Sequence, residues 1–142
     1  MGTHATHRVW LKISAALIGF FGPALTLGTM PATDGAARLG LDILTWPVDG
    51  FPDYGSEEIR FLSALTGGFL VGWAVMIWML SSRAYDLAPE AVRISVVYGA
   101  CAWFVVDSFG SMTSGHWPNA VWNILVLLLL VGPMWRPARP VP

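Results

Sequence analysis

Four long apolar runs divide the chain: Val9 to about Leu27, Ile59 to Leu80, about Val92 to Met112, and Asn119 to about Trp135. The second is the clearest, with no charge after Arg60. As a helix it would rise about 33 Å at about 1.5 Å per residue, enough to cross the hydrocarbon of a bilayer. The pattern predicts an all-α, integral membrane four-helix bundle forming a single domain over residues 1–142. The first run follows the short polar segment MGTHATHR and reads as an uncleaved signal anchor: it is long for a signal-peptide core, and no small-x-small cleavage site follows it. Gly22-Pro23 inside this run predicts a kink, because proline lacks the backbone N–H and crowds the preceding turn.

The stretches between the runs are unequal. Gly28 to Glu58 is too polar to span, with Pro31, Pro47 and Pro52 and the acids Asp34, Asp42, Asp49, Asp53, Glu57 and Glu58. It is expected to form a long outer loop. Within it Ala36, Ala37, Leu39, Leu41, Ile43, Leu44 and Trp46 surround Arg38 and Asp42, which predicts a short interfacial helix ended by Trp46-Pro47. Ser81 to Ala91 and Thr113 to Pro118 read as compact turns, and the tail RPARPVP as extended and exposed.

Two runs carry ordered small or polar positions. Ala64, Gly68 and Gly72 recur every fourth residue and mark a face that another helix could approach closely, within the chain or from a partner. In the third run Ser95, Gly99, Trp103, Asp107 and Ser111 follow at the same spacing. This stripe begins small, suited to helix packing, and ends polar.

Composition supports the membrane reading, since apolar types make up 55% of the chain and charged residues 12%. The net charge of −1 matters less than its placement. Four spans put both termini on one side, which then holds Arg8, Lys12, Arg83, Arg93, Arg136 and Arg139 against Arg38 and Arg60 on the other. That asymmetry places both termini in the cytoplasm of a bacterial inner membrane. There is no basic stripe for nucleic acid. With Cys101 the single cysteine, an intrachain disulfide and a cysteine-rich metal site are excluded.

Candidate chemistry gathers at the outer side. Asp107 lies about four to five residues inside its helix end, where a lone carboxylate costs somewhat less than the about 2.5–3.5 kcal/mol of the bilayer centre. A compensating partner is required, and Arg60 is the first candidate, entering from the same side. The alternative leaves Arg60 at the surface with Glu57 or Glu58, and Asp107 capped by Ser111 and Asn123. Asn119 and Asn123, one turn apart, read as amides that tie helices together. His116 reads as a turn residue, with a proton relay or shared metal as the alternative. Trp103 is expected in the core, or else as an aromatic wall for a ligand. His4 and His7 form an HxxH pair on a tail expected to be mobile. Metal-ligand spacings, paired deep histidines for haem, a phosphate loop and a nucleophile elbow are all absent.

The stretches RFLSALTGGFLVGW from Arg60, AWFVVDSFGS from Ala102 and NAVWNILVLLLL from Asn119 together resemble, in layout, small four-span bacterial inner-membrane proteins of the DoxX-like group. The resemblance extends over the second to fourth runs, about half the chain. It implies a four-helix membrane bundle, sometimes encoded near oxidative or stress functions, and no catalytic residues. The expected role is a non-enzymatic accessory or interaction subunit without cofactor or metal, partnered by the lipid bilayer and by a second copy or a membrane complex. The alternatives are a binder of a small hydrophobic or redox ligand (quinone, lipid or pigment) at Arg60, Asp107 and Asn123, and an oligomeric solute or proton carrier.

Overall fold

The computed structural model describes residues 4–50 and 54–137, which form helices and turns with no strand among them. The helices are α1 (His4–Leu27), α2 (Gly35–Thr45), α3 (Glu57–Met79), α4 (Tyr85–Leu87), α5 (Pro89–Thr113) and α6 (Trp117–Val131). A kink at Leu80–Ala84, where Ser82 leaves helical geometry (φ −94°, ψ −132°), joins α3 to α4, and a 3-10 turn, Gly132–Trp135, continues α6. Four helical segments are long and apolar enough to cross a membrane: α1, α3 extended through Leu87, α5, and α6 extended through Trp135. Residues Ala138 to Pro142, including Arg139 and most of the expected extended tail, lie outside the described residues, as do Pro52 and Asp53 of the loop.

Helix boundaries follow local chemistry. Ser56 caps α3 by accepting the Ile59 N–H at 3.2 Å, and Glu57 and Glu58 occupy the first turn, where acids complement the helix dipole. Pro89 and Pro118 sit at the starts of α5 and α6, where no backbone donor is needed. The expected Thr113 to Pro118 turn therefore shrinks to three residues between α5 and α6, with Gly115 at φ +81°. At the other end of the chain, the segment expected to be a mobile tail is helical from His4. The reason is packing: His7, Leu11, Ser14, Ala15, Ile18 and Gly22 are all buried and form one face of α1.

The spans pair as two antiparallel hairpins, α1 with α3 and α5 with α6. The first pair meets backbone to backbone. A Cβ on Gly22 would stand 2.9 Å from the Gly67 carbonyl, and one on Gly67 would stand 2.6 Å from the Gly22 carbonyl and 2.5 Å from Thr26 Oγ1. The close-packing face of α3 is thus Ser63, Gly67, Ala74 and Ile77. It corrects the expectation of an Ala64, Gly68 and Gly72 face within the bundle: Ala64 is half-buried, whereas Gly68 and Gly72 look outward over open space. Ser95 and Gly99 of α5 are likewise exposed, because α5 buries Val92, Val96, Ala100 and Ser111 instead.

One core joins the hairpins, built from Leu11, Ile77, Tyr85, Val96, Leu130 and Met134 among others. Polar side chains tie helices to neighbouring carbonyls. Trp10 Nε1 donates to Leu129 O at 2.7 Å, Ser14 Oγ to Leu130 O at 3.4 Å, and Ser63 Oγ to Leu25 O at 3.0 Å. Gly132, at φ +42°, lies directly under the Trp10 indole, where a Cβ has no room. The outward faces are strongly apolar: Phe20, Phe69, Val106 and Phe109 are each at least 70% exposed. Apolar surface this continuous exceeds what a water-soluble monomer presents, and it is the surface of a multi-pass membrane protein.

The loop between α1 and α3 is built as well. α2 packs against α1 and α6, and Trp122 Nε1 donates to Ile43 O at 3.0 Å. Asp42 is 4% exposed and accepts the backbone N–H groups of Asp49 (3.2 Å) and Gly50 (2.9 Å). One loop acid is therefore a clamp that folds the chain back after α2.

Candidate functional site

The polar cluster forms where α5 ends and α6 begins. The turn of Ser114 to His116 reverses the chain, the His116 N–H donating to Ser111 O at 2.8 Å, and this brings the last two turns of α5 against the first two of α6. Asp107 Oδ2 accepts from Asn119 Nδ2 at 2.9 Å and from Asn123 Nδ2 at 2.6 Å. The same amides also serve the serines: Asn119 Nδ2 donates to Ser111 Oγ at 2.8 Å, and Asn123 Nδ2 to Ser108 Oγ at 3.1 Å. Ser111 in turn donates to the Asp107 carbonyl at 2.8 Å. Asn123 is 4% exposed and Asp107 half-buried.

This arrangement replaces the expected Arg60 partner. Among the described residues Arg60 forms no ion pair; it sits on the first turn of α3, in the other hairpin. Two amide donors on one carboxylate oxygen make charge-assisted hydrogen bonds, which do the work a cation would otherwise do. Both N–H bonds of each asparagine are committed, one to the carboxylate and one to a serine. The amide donors of α6 are spent on acceptors of α5, a geometry suited to holding two helices in register.

The other predicted residues lie around this knot. His116 is exposed, its Nδ1 3.1 Å from Ser114 Oγ, and is not bonded to Asp107. Trp103, one turn before Asp107, packs against Trp73 of α3 with ring centroids 6.1 Å apart, a contact between the hairpins. Cys101 is a free, half-buried thiol. Among the described residues no three His, Cys, Asp or Glu side chains are grouped to hold a metal ion.

Ser108 belongs to the knot, and its signal was present as a hydroxyl beside the carboxylate. His7 and Tyr85, at the opposite end, were missed as buried polar groups. For His7 the signal was periodicity, since positions 7, 11, 14, 15, 18 and 22 continue one helical face back through the histidine. The chain matches no protein-family model, no curated protein and no solved structure.

Proposed function

We propose that this is a non-enzymatic accessory subunit of the bacterial inner membrane that docks a transmembrane helix of a partner or of a second copy on the outward face of α3. The observation that carries the reading is the open space above Gly68 and Gly72 on an apolar, membrane-length helix. Small residues there let a second backbone approach without displacing side chains, the main source of helix association where lipid is as apolar as the helix. The polar cluster supports the same reading, because its amide donors tie α6 to α5.

Gly68→Leu and Gly72→Leu should weaken association at least tenfold, measured by energy transfer between labelled copies and by co-purification from native membranes, with helix content and melting temperature unchanged. Retained association in both variants would remove the α3 face from the proposal. Both termini are proposed to be cytoplasmic, supported by the excess of Lys and Arg on their side. Alkaline phosphatase fused at the C-terminus should then be inactive and a fluorescent protein bright. The opposite pattern reverses the orientation.

A further inference from the structure

The end of the bundle that carries the termini has more positive charge than its own acids can match. Its two acids among the described residues are both committed: Asp86 pairs with Arg8, and Glu90 accepts from Arg93 Nε at 2.8 Å. Lys12, Arg83 and Arg136 remain exposed and form no ion pair among the described residues. Two of these three share one side of the bundle. Lys12 Nζ stands 5.7 Å from the centre of the Trp78 ring, and one turn earlier on α1 the Arg8 guanidinium lies 6.0 Å from the centre of the Tyr85 ring. The chain from Trp78 to Asp86 therefore runs antiparallel beside Lys12 and Arg8, and Arg83 sits on it between the two contacts, in the Leu80–Ala84 kink. Arg136, after α6, belongs to another side: Trp10 and Lys12 leave α1 about 200° apart, Trp10 toward α6 and Lys12 toward α3.

What this side lacks is an anion. An indole face attracts an ammonium through its quadrupole but supplies no lone pair, so the N–H donors of Lys12 stay open to an acceptor. The surroundings say what kind of molecule brings it. Val9 and Ile13 beside Lys12 on α1, and Val75 and Met79 beside Trp78 on α3, are each at least 42% exposed on membrane-length helices, a surface for acyl chains. A lysine and an arginine bordering such a surface extend their charged ends to the level of the lipid headgroups. A free anion in water gains little from two exposed, screened cations, whereas a headgroup phosphate is already held at that depth by its own chains. The opposite end is acidic instead: Arg38 pairs with Asp34 there, and Glu57, Glu58 and Asp107 add negative charge.

We infer that Lys12, held over Trp78, and Arg83 bind the phosphate of an anionic phospholipid whose chains lie along α1 and α3. Binding there needs no partner helix at Gly68 and Gly72, so it stands apart from the docking reading. The test uses the full-length protein in detergent, with native mass spectrometry reading the titration of phosphatidylglycerol, phosphatidylcholine of the same chains, and inorganic phosphate. Phosphatidylglycerol should bind about tenfold more tightly than phosphatidylcholine, whose choline already neutralises its phosphate. Lys12→Met keeps an apolar stem on Trp78 and Arg83→Gln keeps a polar side chain in the kink. Each should weaken phosphatidylglycerol binding about fivefold, with helix content unchanged by circular dichroism. Arg136→Gln and Arg60→Gln remove the same charge elsewhere and should leave binding within about twofold of the wild type. Equal binding of the two lipids, an equal loss in Arg136→Gln and Lys12→Met, or displacement of phosphatidylglycerol by equimolar inorganic phosphate would each overturn the inference.

Discussion

Gly67→Ala is expected to be strongly damaging, while Gly68→Ala, one residue along, changes almost nothing. At position 67 the added methyl would stand 2.6 Å from the Gly22 carbonyl and 3.0 Å from the Thr26 backbone nitrogen, and backbone cannot swing aside as a side chain can. Relief requires α1 and α3 to separate along their length, with a cost of about 3 kcal/mol as for other overpacked sites. At position 68 the methyl meets nothing within 4 Å. Titration with a denaturing detergent in bicelles, followed by circular dichroism, reads the difference directly. Equal unfolding midpoints for the two variants would mean that α1 and α3 do not cross at Gly22 and Gly67.

The second large effect is expected at Asp107, and it depends on what replaces the carboxylate. Asp107→Leu strips the acceptor from two amides, one of them on Asn123, which is buried, and should cost about 2–4 kcal/mol from two interhelical bonds and the donors left unpaired. Asp107→Asn retains a carbonyl oxygen in the same place and loses only the charge assistance, about 1 kcal/mol. Arg60→Ala should leave stability within about 0.5 kcal/mol, as expected for a half-buried side chain with no ion pair among the described residues. The same detergent titration ranks the three. If Asp107→Asn proved as damaging as Asp107→Leu, the negative charge itself would be the essential property, and the reading of the cluster as a structural knot would fail.

These two cases also mark what was legible in the sequence. The number of spans, their order and the convergence of Asp107, Ser111, Asn119 and Asn123 follow from apolar run length and topology, which are properties of the chain read linearly. The choice of glycine face was not legible in the same way. Two faces of α3 carry small residues, Ala64-Gly68-Gly72 and Ser63-Gly67-Ala74, and nothing local says which one meets α1; only the pairing of Gly22 with Gly67 decides it. Arg60 was favoured for Asp107 because both lie toward the same side, a criterion of depth that ignores which helices are neighbours. With α3 packed on α1, and α5 on α6, the nearer donors are the asparagines across the short turn. His7 was discounted because polar residues near a terminus usually lie in solvent, whereas here the helical face continues through it.

The hydrogen bond from Trp10 to the Leu129 carbonyl bears on the order of assembly. In an uninterrupted helix that oxygen would receive the N–H of the residue four positions later, which in this chain is Pro133 and has none to give. An orphaned carbonyl near hydrocarbon costs several kcal/mol, so the end of α6 is incomplete until it meets α1, which precedes it in the chain. The proline therefore acts as a latch: it withholds one bond from α6, and Trp10 of α1, synthesised before α6, supplies it when the bundle closes.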